Sequence, residues 1–159
     1  MKSFQRLLWV CALCFGWALS AQAGTVQEGS ILTARTVSDQ FGQAVVLNTA
    51  TRSVVFSAER EVNAFASDYF SSKGRGFMQA NGIVYWADIS AMPAWVTRTF
   101  ALPKMRQLNF PVGLANTAAL LSDVPRKAGH ATVIRLNHGV VQSVGYAGSG
   151  TQLAQKLGL

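Results

Sequence analysis

Two short apolar runs, each followed by a segment of helical character, constrain the fold of this chain more than any other feature. The runs are residues 53–57 (S-V-V-F-S) and 83–89 (I-V-Y-W-A-D-I), and both have the composition of buried strands. Residues 59–70 then repeat apolar side chains at helical spacing, and residues 94–102 follow a proline, which favours a helix start. Alternating strands and helices predict parallel strands with helices packed on the sheet.

The remaining segments predict a small leading hairpin and an antiparallel addition to the sheet. Turn-forming residues 39–43 precede a β-prone stretch at 44–47, which indicates the leading hairpin. Downstream we expect a third strand, a short helix, a hairpin and a closing helix capped near Ser149 or Thr151. These elements correspond to residues 110–115, 116–121, 131–136 with 140–147, and 151–157.

The first 23 residues have the three parts of a secretory signal peptide. Lys2 and Arg6 give a positive start, residues 7–19 form an apolar run, and a small-x-small pattern (A-Q-A) ends at Ala23. We therefore expect cleavage between Ala23 and Gly24 and a periplasmic or secreted protein. An uncleaved membrane anchor is the alternative, although the apolar run is shorter than the ~20 residues that span a bilayer.

Residues 24–159 are predicted to form one domain. It contains no internal repeat and no Pro/Gly-rich linker, and its length is sufficient for a hydrophobic core. The predicted organisation is a signal peptide at residues 1–23, an N-terminal segment at 24–36 and a single domain at 37–159.

Both cysteines of the chain, Cys11 and Cys14, lie in the predicted leader. Residues 24–159 therefore have no side chain for disulfide bonds, thiol catalysis or cysteine metal sites. His130 and His138 remain as soft ligands, but no carboxylate stands near them at the spacing of a metal motif. We expect no metal site.

The charge of the chain indicates which partners it meets. The net charge is +7, and removal of residues 1–23 takes away two of the fourteen basic residues and none of the seven acidic ones, leaving about +5. A basic exported protein meets lipid head groups, polysaccharides and acidic proteins rather than chromosomal DNA. We expect an envelope protein or an anionic ligand as partner, no nucleic acid, and membrane attachment only through an uncleaved signal.

The order of the predicted elements and three short motifs resemble the thioredoxin-like fold of periplasmic thiol reductases and peroxiredoxins. Residues 39–47 (D-Q-F-G-Q-A-V-V-L) are similar to the lead-in of those proteins, and residues 52–58 (R-S-V-V-F-S-A) to the strand entering their active-site loop. Residues 110–112 and 131–146 are similar to their last strands. The resemblance covers residues 37–158 and implies an α/β three-layer sandwich, with a mixed central sheet and helices on both faces.

Two hallmarks of the redox-active relatives are missing. Their cysteines follow the first central strand, where this chain has S-A-E-R-E-V-N from Ser57 to Asn63. Their cis-proline position falls on Ala131, and a cis bond before alanine costs ~2.5–4 kcal/mol, so we expect a trans bond. The resemblance thus implies the scaffold and its substrate groove without reductase activity. The candidate binding groove consists of Ser57, Glu59, Arg60, Asp88, His130 and Ala131.

Other catalytic patterns are weak, and we assign no catalytic residue. Ser57, Asp88 and His130 stand at strand ends, where open α/β sheets place their sites, but no G-x-S-x-G elbow is present. We expect Asp88 to be a helix cap or turn acceptor and His130 to be a loop residue bonded to the backbone.

A second resemblance concerns cofactors. The chain is similar to small exported proteobacterial proteins labelled FAD/FMN-containing dehydrogenases. A dinucleotide site would require G-x-G-x-x-G, whereas the nearest cluster, residues 74–79 (G-R-G-F-M-Q), follows a predicted helix and lacks the third glycine. We expect no cofactor.

Basic and aromatic side chains complete the set of candidate contact residues. Three basic pairs in predicted loops are candidates for anionic contact: Lys73 and Arg75, Lys104 and Arg106, Arg126 and Lys127. Five aromatic residues lie on or beside buried-type elements, which favours core packing over ligand stacking for all but one of them: Tyr85, Trp86, Trp95, Phe100 and Phe110. Trp95, near a helix start, is the one expected to stay partly exposed and to anchor a partner.

The sequence therefore favours an exported thioredoxin-like protein without thiol redox activity that acts as a binding or accessory module. Two alternatives stay open: a redox or flavin-dependent accessory enzyme of the cell envelope, and a purely structural envelope component.

Overall fold

The computed structural model describes residues 25–159, so the predicted leader, its two cysteines and the cleavage point lie outside the described residues. In chain order the elements are β1 (Thr36–Ser38), β2 (Ala44–Val46), β3 (Ser53–Ser57), α1 (Arg60–Lys73), α2 (Phe77–Ala80), β4 (Ile83–Asp88), α3 (Ala94–Val96), a π-helical turn (Thr97–Ala101), α4 (Leu102–Met105), β5 (Gly113–Ala115), a 3-10 helix (Ala118–Leu121), β6 (Ala131–Asn137), β7 (Val140–Ala147) and α5 (Gly150–Leu157).

Five of the strands form one mixed sheet in the order β5-β4-β3-β6-β7. β3, β4 and β5 run parallel, and β6 and β7 are antiparallel to their neighbours. Ser57 pairs with Ala87, and Phe56 pairs with Thr132. The ends of β3, β4 and β5 therefore meet the start of β6 at one side of the sheet, which we call the carboxyl edge. This mixed sheet with its helices confirms the predicted fold class, and β1 and β2 form the predicted leading hairpin.

One face of the sheet is covered by α1 and α5. Their buried positions recur every four residues, so a single stripe of each helix faces the sheet. Each valine, leucine or phenylalanine side chain in these stripes contributes about 1.5–3 kcal/mol by leaving water. The stripe consists of Val62, Ala66 and Phe70 from α1 and Leu153 and Leu157 from α5.

The other face is covered by the N-terminal segment, the β1–β2 hairpin and the 3-10 helix. Val26 and Leu32, from the segment before β1, are 7% and 4% exposed and belong to the same cluster as Trp86. Leu121 of the 3-10 helix is fully buried in that cluster. Residues 26–32 are therefore part of the folded body, for which the sequence had predicted no element.

The expected aromatic core is correct for three residues and wrong for one. Tyr85, Trp86 and Phe110 are buried, and Trp95 is exposed as expected. Phe100, expected in the core, is 57% exposed. The reason is that Leu102 and Met105 of α4 take the core-facing side, while Phe100 packs against Trp95. None of the helices within residues 25–159 has the length and hydropathy needed to cross a bilayer.

Candidate functional site

The predicted groove residues collect at the carboxyl edge. β3 ends at Ser57, β4 ends at Asp88 and β6 begins at Ala131, while Glu59 is the N-cap residue of α1. The loop of residues 125–130 leads into β6 at the same edge. The topology therefore brings together residues that are more than 70 positions apart in sequence.

Glu59 connects the start of α1 to this loop. Its side chain makes no capping bond to its own helix; instead, both carboxylate oxygens accept from the backbone nitrogen of Gly129, at 3.0 and 3.1 Å. Gly129 has a φ of 69°, in the left-handed region that glycine adopts without steric cost. The glycine thus turns its N–H toward the helix start, and the loop is held there.

A second bond ties the loop to β4. Arg126 contacts Asp88 at 2.7 Å, and its guanidinium lies 5.0 Å from the ring centre of Phe56. Asp88 also accepts a hydrogen bond from the backbone nitrogen of Ser90 at 2.8 Å, which is the turn-acceptor role expected of it. Burial of Asp88 by itself would raise its pKa, but the bonds from Ser90 and Arg126 hold that pKa below its usual value.

Near the start of α1, three polar side chains form hydrogen bonds with one another. The Ser57 hydroxyl donates to Oδ1 of Asn63 at 2.6 Å, the Tyr85 hydroxyl donates to the same oxygen at 2.6 Å, and the two hydroxyls lie 2.9 Å apart. Burial raises the pKa of Tyr85 to about 12, so its hydroxyl stays protonated at neutral pH. We call this group the Ser57–Asn63–Tyr85 triangle. Sequence reasoning missed Asn63, whose only available signal was its place one turn into the helix.

The remaining groove residues divide into exposed and buried ones. Arg60 and Glu61 are exposed in the first turn of α1, and Ala131 is fully buried. The bond before Ala131 is trans, since residues 25–159 contain no cis peptide. His130 contacts the carbonyl oxygen of Ala128 through Nδ1 at 2.7 Å, as expected for a loop residue bonded to the backbone.

The three side chains considered as a catalytic triad are engaged elsewhere. Ser57 bonds Asn63, Asp88 bonds Arg126, and His130 bonds its own loop. Among residues 25–159, no hydrogen bond joins any two of Ser57, Asp88 and His130. In the same part of the chain, no group of three or more acidic or histidine side chains is arranged to hold a metal ion.

The basic pairs do not share one surface. Lys73 is the last residue of α1 and Arg75 comes two positions later, opposite the carboxyl edge, whereas Arg126 and Lys127 lie in the 125–130 loop at that edge. Arg75 lines a cleft of about 690 Å³ beside the hairpin, with Asp39, Gln43 and Asn109 among its other polar residues. Of the six candidates, Arg126 is committed to Asp88 and Arg106 donates to the carbonyl oxygen of Gln40 at 3.0 Å.

Solved structures share this arrangement of strands and helices. Peroxidoxin BcpB from Mycobacterium tuberculosis superposes with a TM-score of 0.55 at 13% identity, covering 84% of this chain and 95% of its own. The thioredoxin domain of a thiol-disulfide oxidoreductase from Bacteroides vulgatus gives 0.52 at 13% identity, covering 84% and 97%. StoA from Bacillus subtilis gives 0.55 at 9% identity, covering 79% and 97%. The fold is thioredoxin-like. No family model and no curated protein matches this sequence, and at these identities the likeness extends to the fold alone.

In this thioredoxin-like fold, the start of α1 at the carboxyl edge is where the resemblance places a pair of cysteines. This chain has Glu59, Arg60 and Glu61 there, and residues 25–159 contain no cysteine. The positive end of a helix dipole stabilises a nearby anion, and here the carboxylates of Glu59 and Glu61 take that role. The position is thus occupied by charged side chains, one of which holds the facing loop.

Proposed function

We propose that this protein is an exported thioredoxin-like binding module that works without thiol chemistry and recognises an envelope protein or an anionic ligand at its carboxyl edge. The observation that carries the proposal is the contact between Glu59 and Gly129. Where the resemblance places a reactive cysteine, this chain has Glu59, which fixes the facing loop. A fixed loop favours a preorganised binding surface over a reaction centre.

The chemistry of the neighbouring groups also favours binding. The Ser57–Asn63–Tyr85 triangle satisfies its own hydroxyls, and Tyr85, with a pKa raised to about 12, is not suited to accept a proton at neutral pH. The lowered pKa of Asp88 keeps it ionised and bound to Arg126. These groups hold the edge in place and leave no activated nucleophile there.

The exposed charges at this edge suggest what it recognises. Arg60, Arg126 and Lys127 are exposed around the fixed loop, and Arg126 is partly neutralised by Asp88. Arg60 and Lys127 form no ion pair among the described residues and can contact acidic groups on a partner, although Glu59 and Glu61 place two carboxylates beside Arg60. Charge at the rim of an interface acts mainly on association rate and salt dependence, so reversal of Arg60 should weaken capture most at low salt.

The test is a pull-down from envelope extract with three forms of the protein. We expect Arg60→Glu to lose partners that the unaltered protein retains, while Arg52→Glu, the same change just before β3 at the opposite end of the sheet, retains them. If both variants recover the same partners as the unaltered protein, the carboxyl edge is not the contact surface.

A second assay addresses the redox alternative. We expect no reduction of insulin disulfides and no peroxide turnover by the purified protein. Activity in either assay, or a yellow preparation carrying a flavin, would overturn the binding-module proposal in favour of an accessory enzyme.

A further inference from the structure

A helical stretch on the surface of this protein contains no buried side chain. It comprises α3, the π-helical turn and α4, residues 94–105, and we call it the α3–α4 segment. Leu102 and Met105 lie half-buried against the core and attach the segment to the sheet. A helix in a globular domain normally buries an apolar stripe, whereas this one leaves apolar surface exposed to solvent.

Most of this exposed apolar surface belongs to two aromatic side chains. Trp95 is 65% exposed and Phe100 is 57% exposed. Their rings pack edge to face, with centroids 6.2 Å apart and an interplanar angle of 73°. Two adjoining exposed aromatics form a continuous apolar projection, which marks an interaction site more often than scattered exposed residues do.

The charged residues along this stretch of the sequence all have one sign. No acidic residue occurs between Asp88 and Asp123, whereas Arg98, Lys104 and Arg106 lie in that stretch and are exposed. The two aspartates that bound it are already paired with arginines from other segments. Arg98 and Lys104 form no ion pair with any described residue, so the segment presents positive charge next to its aromatic pair.

We propose that the α3–α4 segment docks on an anionic phospholipid surface, with Trp95 and Phe100 in the headgroup region and Arg98 and Lys104 facing the lipid phosphates. Interfacial helices combine aromatic and basic side chains in this way, and tryptophan favours the membrane–water boundary. Each basic residue near an anionic surface strengthens the attachment. The contact would be made by the folded domain itself, whereas the sequence led us to expect membrane contact only through an uncleaved leader.

The composition around the aromatics favours lipid over an acidic protein. The side chains next to them in sequence are Ala94, Val96, Thr99 and Ala101, which offer few directed hydrogen bonds. A protein interface specifies its partner through such bonds, whereas a fluid lipid surface requires only apolar area and charge. The segment shares no residue with the proposed binding groove. A result that contradicts one of these two binding sites therefore leaves the other unaffected.

Vesicle sedimentation tests the proposal, using the protein as recovered from cells with its N-terminus identified by mass spectrometry. We expect binding to phosphatidylcholine vesicles that contain phosphatidylglycerol and much weaker binding to phosphatidylcholine alone. The double variant Trp95→Ala with Phe100→Ala should bind at least about tenfold more weakly, and Arg98→Gln about fivefold more weakly. Ile31→Ala, which removes an apolar side chain that is 77% exposed beside β7 at the far edge of the sheet, is the matched control and should bind normally.

Fluorescence gives an independent measure of insertion. Trp86 is fully buried and Trp95 is exposed, while Trp9 and Trp17 lie in the predicted leader. The part of the blue shift on adding anionic vesicles that is present in the unaltered protein and absent from Trp95→Phe therefore reports insertion of Trp95. Equal binding of the double variant and the unaltered protein, or equal binding to both vesicle types, would overturn the proposal. Gel filtration in which the unaltered protein is a dimer and the double variant a monomer would also overturn it, because the occupant would then be a second copy of this chain.

Discussion

The carboxylate of Glu59 holds the backbone N–H of Gly129, with its two oxygens 3.0 and 3.1 Å from that nitrogen. The contact spans 70 residues of sequence and joins the first turn of α1 to the loop before β6. Together with the bond from Arg126 to Asp88, it fixes this loop at both of its ends. The carboxyl edge is therefore shaped by contacts between side chains and loop rather than by the strands alone.

Removal of the Glu59 carboxylate should loosen that loop without unfolding the domain. In Glu59→Ala we expect the Gly129 amide to exchange its hydrogen roughly three- to tenfold faster, since one exposed hydrogen bond is lost. Hydrogen exchange followed by NMR measures this directly. Glu61→Ala removes a neighbouring exposed carboxylate that makes no side-chain hydrogen bond among the described residues, and should leave Gly129 unchanged. Equal acceleration in both variants would mean that helix charge, and not the contact, protects the loop.

The ion pair between Arg35 and Asp123 should make the protein sensitive to acid. Two nitrogens of Arg35 contact the two carboxylate oxygens at 2.7 and 2.6 Å, both side chains are about one-fifth exposed, and these bonds hold the pKa of Asp123 below its usual value. The unfolded chain, with an ordinary carboxyl pKa of about 3.9, takes up protons first as the pH falls. The stabilisation is therefore complete above about pH 5 and is lost on acidification through the lowered pKa.

Asp123→Asn tests this dependence. We expect its free energy of unfolding to be about 1–3 kcal/mol lower at neutral pH, and to decrease less steeply between neutral pH and about pH 3. Urea denaturation at several pH values gives both quantities. Asp68→Asn, an exposed acid on α1, should change neither. A variant as stable as the unaltered protein at neutral pH would show that the pair contributes no net stability.

The Ser57–Asn63–Tyr85 triangle should show coupling between its two hydroxyls. Each single change, Ser57→Ala or Tyr85→Phe, leaves Asn63 with one remaining donor and should cost about 0.5–1.5 kcal/mol. The double variant leaves the Asn63 carbonyl without either donor, so its loss should exceed the sum of the two by about 1 kcal/mol. Denaturant unfolding of the four proteins gives the coupling energy. Strict additivity would contradict a shared acceptor.

The contact between β4 and β5 leaves no room for a side chain at Gly113. A Cβ atom there would lie 2.7 Å from Cδ1 of Trp86, whose side chain is fully buried and cannot move aside. We expect Gly113→Ala to lower the free energy of unfolding by about 1–3 kcal/mol. Gly150→Ala, at the start of α5, would place its Cβ at an ordinary 3.5 Å from Tyr69 and should be neutral or stabilising by up to about 1 kcal/mol. Thermal or urea denaturation distinguishes them, and an undiminished stability of Gly113→Ala would show that β5 can shift.

Patterns of local hydrophobicity were sufficient for most of the fold. The runs at residues 53–57 and 83–88 became central strands because their side chains are apolar on both faces, and Ser149 caps α5 by accepting from the Gln152 nitrogen at 3.3 Å. Such features depend on neighbours in the sequence. They can therefore be identified before any tertiary contact is known.

Features that depend on distant partners could not be predicted in this way. Gln40 sits in a segment that looks like an exposed turn, yet it is 1% exposed because its amide bonds the backbone of Phe110 and Val112. Arg126 and Asp88 are 38 positions apart, and the sequence around each residue does not indicate that the two form an ion pair. The π-helical turn that leaves Phe100 outside the core also has no signature in the spacing of apolar residues.

The burial of Val26 affects how such a chain would mature. Its N–H donates to the carbonyl oxygen of Asp123 at 2.8 Å, and its side chain is 7% exposed. For a precursor cut between Ala23 and Gly24, as the sequence predicts, only Gly24 and Thr25 separate the cut from this anchored residue. Proteases act on stretches that are free of the folded body. In such a precursor, leader removal and the docking of Val26 would compete for the same few residues, so we expect cleavage to precede docking.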